Sequence, residues 1–236
     1  MRNLIILFVI MVATPISGFG QKTPGKYGTN PEDSIKCLEN LSLYKEYYKQ
    51  KHYKDAMLRW RWVFKNCPKS SKKMYSDGAT MYKKLVRAEK APDKKVKFVD
   101  TLLKVYDQRI EHFGQEGFVL GLKGVDMVQY RKEKYGEAFQ ILQKSVKAEG
   151  LKSKAGAITA YFQSALRMLE NGKTEKEKVI EIFGEVIEIA DYQLGKITDE
   201  KKKGFYIAAK GNIEKLFEPI ASCEDLIAMY SKKFEE

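Results

Sequence analysis

The chain is poor in the residue types that most enzyme chemistry requires. Among its 236 residues only His52 and His112 are histidines, and only Cys37, Cys67 and Cys223 are cysteines. No HExxH or CxxC spacing occurs, so a structural or catalytic metal has no ligand set in the sequence. No nucleophile elbow is present. No sustained alternation of apolar and polar residues marks a strand. The longest apolar run, Leu4 to Ala13, falls short of the roughly 20 residues that cross a bilayer. Arginine is scarce as well, with seven residues against 36 lysines. Arginine makes the bidentate phosphate and base contacts, whereas lysine is a hydrated point charge, so this balance reads as solvated surface rather than a nucleic-acid site. What remains is a cationic helical chain of net charge +12, a balance that favours acidic partners.

Residues 1–20 read as a secretory signal. Arg2 supplies the positive start, Leu4 to Ala13 the apolar run, and Gly18-Phe19-Gly20 a small-x-small cleavage site before Gln21. The expected destination is the periplasm or cell envelope. Residues 21–33, with Pro24, Gly25, Gly28 and Pro31, read as a flexible leader, and Asp33 or Ser34 is placed to cap the first helix. From there to residue 236 apolar residues recur at helical spacing. Ten helices in five hairpins are expected: 34–50 with 53–66, 70–89 with 92–112, 115–132 with 135–149, 153–170 with 175–193, and 199–217 with 222–234.

The first hairpin carries a motif. With Cys37 as position one, Leu43 is seventh, Tyr47 eleventh, Tyr53 seventeenth, Ala56 twentieth, Trp60 twenty-fourth and Pro68 thirty-second. This pattern resembles the 34-residue tetratricopeptide repeat (TPR), a helical hairpin that stacks on its neighbours. Asn40 and Tyr44 depart from it, and the bulky Tyr44 is expected to splay the helix pair or lean into the preceding surface. Lys134-Tyr135-Gly136-Glu137-Ala138 repeats the spacing of Tyr53-Lys54-Asp55-Ala56 in the third hairpin. The signal sequence and the segments CLENLSLYKEYYK, WRWVFKNCP and YDQRIEHFGQEGFVLGLKG are similar to exported TPR proteins of Bacteroidota-type bacteria. The resemblance implies an all-α, right-handed solenoid of about five antiparallel hairpins, the first and third most typical. Its concave groove would be lined by the first helix of each hairpin.

Cys37 and Cys67 lie 15 residues on either side of His52, in the expected turn. Antiparallel helices bring such residues together at the open end of the hairpin, where a disulfide would close a long loop. An oxidising compartment favours that bond over two buried, unpaired thiols. Cys223 is left over, as a free buried thiol or an intermolecular partner.

Two further constellations invite chemistry. Gly114, Gly117, Gly121 and Gly124 share one helical face, but no strand precedes them and no Lys-Ser/Thr follows, so close helix packing is expected rather than a phosphate loop. Asp107, Arg109, Glu111 and His112 form the densest charged cluster. Asp107, Glu111 and His112 would be the residues of a hydrolytic site, but nothing supplies a nucleophile or third ligand. An ion-pair network around Arg109 is the expectation, and no catalytic residue or cofactor is assigned.

The functional hint lies on the first helices. Aligned as repeats, Tyr48-Lys49, Tyr82-Lys83 and Tyr130-Arg131 are equivalent, with Ser164-Ala165 at the same positions of the fourth hairpin, and they are joined by Tyr75, Lys45 and Tyr161. An aromatic followed by a cation, three times over, suggests a groove for an extended or acidic segment of a protein partner. It is similar to the carboxylate-clamp TPRs, although the asparagines those use are absent. The alternative is a binder of anionic envelope polymer or lipid head groups through the diffuse lysine surface.

Overall fold

The computed structural model describes residues 25–220 and 222, and those residues are almost wholly helical. Nine α-helices follow in order: α1 (Pro31–Lys49), α2 (Tyr53–Asn66), α3 (Lys72–Ala88), α4 (Pro92–Phe113), α5 (Glu116–Tyr130), α6 (Tyr135–Glu149), α7 (Ala155–Glu170), α8 (Lys176–Lys196) and α9 (Glu200–Phe217). The first four hairpins and the first helix of the fifth therefore form where the hydrophobic spacing puts them. The signal segment 1–20, the residues up to 24, the expected helix 222–234 and Cys223 lie outside the described residues. Among the described residues no helix is long and apolar enough to cross a membrane.

Local chemistry sets the helix ends. Asn30, rather than Asp33 or Ser34, caps α1: its Oδ1 accepts from the Asp33 amide at 2.8 Å, and Pro31 fits the first helical position, where no amide partner is needed. Pro92 starts α4 in the same way. Gly114 ends α4 and Gly150 follows α6, both at positive φ, where a side chain would be strained. Lys51, at φ 63°, turns the chain between α1 and α2.

Successive helices pack on one another all along the chain. The disulfide forms: Cys37 and Cys67 are bonded with Cα atoms 6.3 Å apart, joining the start of α1 to the end of α2. Both are buried in an apolar cluster made by α1–α4 and the start of α5. At its centre the fully buried Trp60 donates Nε1–H to the Met74 carbonyl at 2.8 Å, and Gly78 of α3 lies flat against the indole. Tyr44 does not splay α1 from α2. It is fully buried and leans instead towards α3, its hydroxyl 3.5 Å from Asp77 Oδ2. A second cluster, centred on Ile158, Phe162, Val186 and Ile213, holds α6–α9 together.

The two halves are built differently. In the second half, α5 packs directly on α7 and α7 on α9, backbone close to backbone. The glycine stripe explains part of this. A Cβ on Gly121 would sit 2.8 Å from Ser145 Oγ and 3.2 Å from the Ala157 methyl. One on Gly124 would overlap Leu142, and one on Gly117 would meet Ala148 at 2.9 Å. Gly114 does not join that face, because it lies in the turn before α5. In the first half the backbones of α1 and α3, and of α3 and α5, stay apart.

Candidate functional site

An open concave feature lies between α5, α7 and α9, the first helices of the third, fourth and fifth hairpins. It is a groove of about 1430 Å³. Its floor is the exposed side of α7, where Gly156, Thr159 and Gln163 recur at helical spacing and keep the surface low. Val125, Val128 and Gln129 of α5 form one wall. Phe205, Asn212 and Leu216 of α9 form the other, and Phe205 is 58% exposed. Gly156 faces open space here: a Cβ on it would meet only Val125 Cγ2, at 3.9 Å.

Charge in the groove has one prevailing sign. Lys132, Lys154, Arg167 and Lys202 line it against one carboxylate, Glu170. Arg167 Nη1 donates to the Lys132 carbonyl at 3.1 Å, fixing the end of α7 to the turn after α5. Lys154 stands just before α7 and Lys202 in the first turn of α9, and neither meets a carboxylate among the described residues. A stem of some 13 residues separates Lys154 from Arg167, or about 20 Å at 1.5 Å per residue. The groove therefore has cations at both ends, amides along its length and apolar side chains between them. Such a surface can hold backbone and side-chain amides of an extended segment and neutralise acids on it.

None of the residues expected from the repeat register lines this groove. Tyr82 and Tyr161 are core residues, 3% and 2% exposed. Tyr82 packs edge-on against Trp60, and Tyr161 lies 5.4 Å from Phe139 with burial pushing its hydroxyl up to about 12. Their rings are therefore unavailable as platforms, because the first helices of the second and fourth hairpins turn these positions inward. The fourth-hairpin equivalents Ser164 and Ala165 are buried as well. Arg131 is 7% exposed and paired with Asp100, and Lys83 is 2.9 Å from Asp126. Both cations hold the fold, so reversing their charge would break ion pairs rather than probe a surface.

Tyr130 is half-buried, with its hydroxyl enclosed and without a hydrogen-bond partner. Tyr48 is half-buried too, edge-on to Tyr53 at 5.6 Å with Lys73 over its ring at 5.5 Å. Lys45 and Lys49 are exposed on α1.

The charged cluster at the end of α4 also resolves differently from its sequence. Asp107 pairs with Lys123 of α5 at 2.6 Å. Glu111 is exposed, 3.8 Å from His112. Arg109 is 7% exposed and meets no carboxylate among the described residues, so the expected ion-pair network around it does not form there. No group of three or more His, Cys, Asp or Glu side chains among the described residues is arranged to hold a metal.

The groove residues carry no motif by which the sequence reveals them. Glutamines and small residues at helical spacing look like any helix surface. The nearest signal is Phe205, an aromatic among the lysines of KKKGFYIAAK, facing water. Comparison with known proteins adds no relative: no protein-family model and no curated protein matches the chain.

Proposed function

We propose that the chain is an exported, TPR-like interaction scaffold without chemistry of its own. It holds an extended, acidic segment of a protein partner in the groove between α5, α7 and α9. The observation that carries this reading is the sign of the groove: four cations face one carboxylate around an apolar, amide-lined floor. At about 1430 Å³ it also exceeds the roughly 300–1,000 Å³ typical of small-molecule sites, which favours a length of polypeptide.

The solenoid part of the proposal is supported by repetition. Tyr53 and Tyr135 each open the second helix of a hairpin, and Ala56 and Ala138, three residues on, are fully buried. In the second half the first helices α5, α7 and α9 also pack on one another, as neighbouring units of a repeat array do.

The test is a fluorescence-anisotropy titration of the chain with labelled extended peptides, acidic and charge-neutral. Acidic peptides should bind, and Lys154→Glu with Lys202→Glu should weaken them about tenfold or more, since each lost charge-assisted contact is worth on the order of 1.4 kcal/mol. Both residues are exposed, so the double variant keeps its fold. Equal binding by the double variant overturns the reading. Adsorption to anionic polymer or lipid vesicles that vanishes with modest salt, with no peptide selectivity, would favour the diffuse lysine surface instead.

A further inference from the structure

Among the described residues, a buried cation without a counter-charge sits at the junction of α3, α4 and α5. Arg109, in the last turns of α4, is 7% exposed, and its Nε is buried with no hydrogen-bond partner. Its guanidinium lies 5.3 Å from the Phe118 ring, and Nη2 reaches Gln115 Oε1 at only 3.5 Å. Burial lowers its pKa, and no carboxylate acts to restore it. Arg131 is equally buried and its Nε likewise lacks a partner, but its guanidinium has Asp100. Desolvating a guanidinium without an anion costs several kcal/mol in general, so proteins seldom leave one alone.

A second cation converges on the same atom. Lys72 Nζ, from the first residue of α3, is 3.3 Å from Gln115 Oε1. It too lacks a carboxylate. Gln115 is the residue before α5, held at φ 60°, and its side chain does not cap the helix. The first amides of this 15-residue helix therefore add positive potential to the same spot. Of the acids nearby, Glu116 pairs with Lys144 at 3.5 Å, Asp107 with Lys123, and Glu111 lies beside His112, while half-buried Glu149 approaches the first turn of α5 from α6, its Oε1 2.9 Å from where a Cβ on Gly117 would stand. Approach is open, since Gln115 and Gly114 are exposed and a Cβ at Gly114 would meet nothing within 4 Å.

We propose that Gln115 Oε1 stands where an oxyanion binds, and that Lys72, Arg109 and the first turn of α5 form a carboxylate or phosphate site. One neutral amide oxygen now serves two cations and a helix terminus. A charged oxygen in its place makes charge-assisted bonds to both cations, while the exposed Gln115 side chain swings into water. The site is separate from the α5–α7–α9 groove and shares no residue with it.

The experiment is a titration of the full chain with sodium acetate and, separately, inorganic phosphate. Backbone amide shifts of Gly114 to Phe118 are followed at constant ionic strength. Saturable shifts are expected. Saturation by acetate assigns a carboxylate ligand, and saturation by phosphate alone assigns a phosphate. Lys72→Gln should weaken binding about tenfold. Gln115→Glu should place a carboxylate in the site permanently, abolishing the shifts and raising the unfolding midpoint, while Gln115→Ala should keep them. Shifts that never saturate, or a Q115E protein that titrates like the parent, overturn the proposal. Arg109 itself is left intact because its loss risks the fold.

Discussion

Lys83 Nζ lies 2.9 Å from Asp126 Oδ2, and this contact ties α3 to α5 where their backbones do not touch. The same oxygen accepts the Tyr106 hydroxyl of α4 at 2.6 Å, so one buried carboxylate gathers three helices. Asp126 is 1% exposed, and burial together with this carboxylate pushes the Tyr106 hydroxyl far above its ordinary pKa.

Removing that carboxylate should be costly. Asp126→Ala leaves Lys83 and Tyr106 facing an emptied, enclosed site and is expected to lose about 3 kcal/mol. A double-mutant cycle with Lys83→Met, read by urea denaturation, should return a coupling of about 1 kcal/mol or more. A coupling near zero would mean that the lysine only rests there.

The disulfide should contribute comparably. Cys37 and Cys67 are 30 residues apart, and replacing both with serine should cost about 2–5 kcal/mol. Denaturation with and without a thiol reductant measures it. The parent should fall to the level of the double variant on reduction, and the variant should not respond.

Two glycine substitutions should move stability in opposite directions. A methyl at Gly78 would press into the Trp60 indole, 2.5 Å from Cε2, so Gly78→Ala should cost about 1–3 kcal/mol despite its better helix propensity. A methyl at Gly211 in α9 meets nothing within 4 Å, and Gly211→Ala should gain roughly 0.5–1 kcal/mol. Thermal midpoints of the two variants decide it.

Alkaline pH should unfold the protein through its buried tyrosines. Burial raises the hydroxyl pKa of Tyr44, Tyr75, Tyr106, Tyr161 and Tyr206, with Tyr161 at about 12. Above about pH 10 the unfolded chain releases these protons while the folded chain keeps them, so the unfolded state binds fewer and stability falls as pH rises. The stabilisation is complete below pH 10 and is lost towards pH 12. Tyrosinate absorbance should therefore rise together with loss of helical circular dichroism, rather than before it.

The hairpins were legible because helix signals are local. Pro31, Pro92, Gly114 and Gly150 each act through their own backbone, and the apolar spacing between them needs no tertiary knowledge. Cys37 with Cys67 was legible because the turn at His52 fixes their opposition. The burial of the aligned tyrosines was not, because register along a helix decides which side a residue takes. In the second hairpin Tyr82 turns in to Trp60, and in the fourth Tyr161 turns in to Phe139. Arg109 was misread for a related reason: its sequence neighbours Asp107 and Glu111 point away from it, one to Lys123 and one to water. Proximity in sequence put three charges together, and the α4–α5 packing separated them.

The contact of Gly121 in α5 with the Ala157 methyl of α7 does not involve charge, whereas the apolar cluster joining α1, α3 and α5 is supplemented by Tyr44–Asp77 and Lys83–Asp126. Dissolved ions therefore act unevenly along the chain. Rising ionic strength weakens the partly solvated Lys83 link and leaves the methyl and methylene contacts of the second half in place. Sensitivity to salt is therefore expected where Lys83 meets Asp126, and not where Gly121 faces the Ala157 methyl.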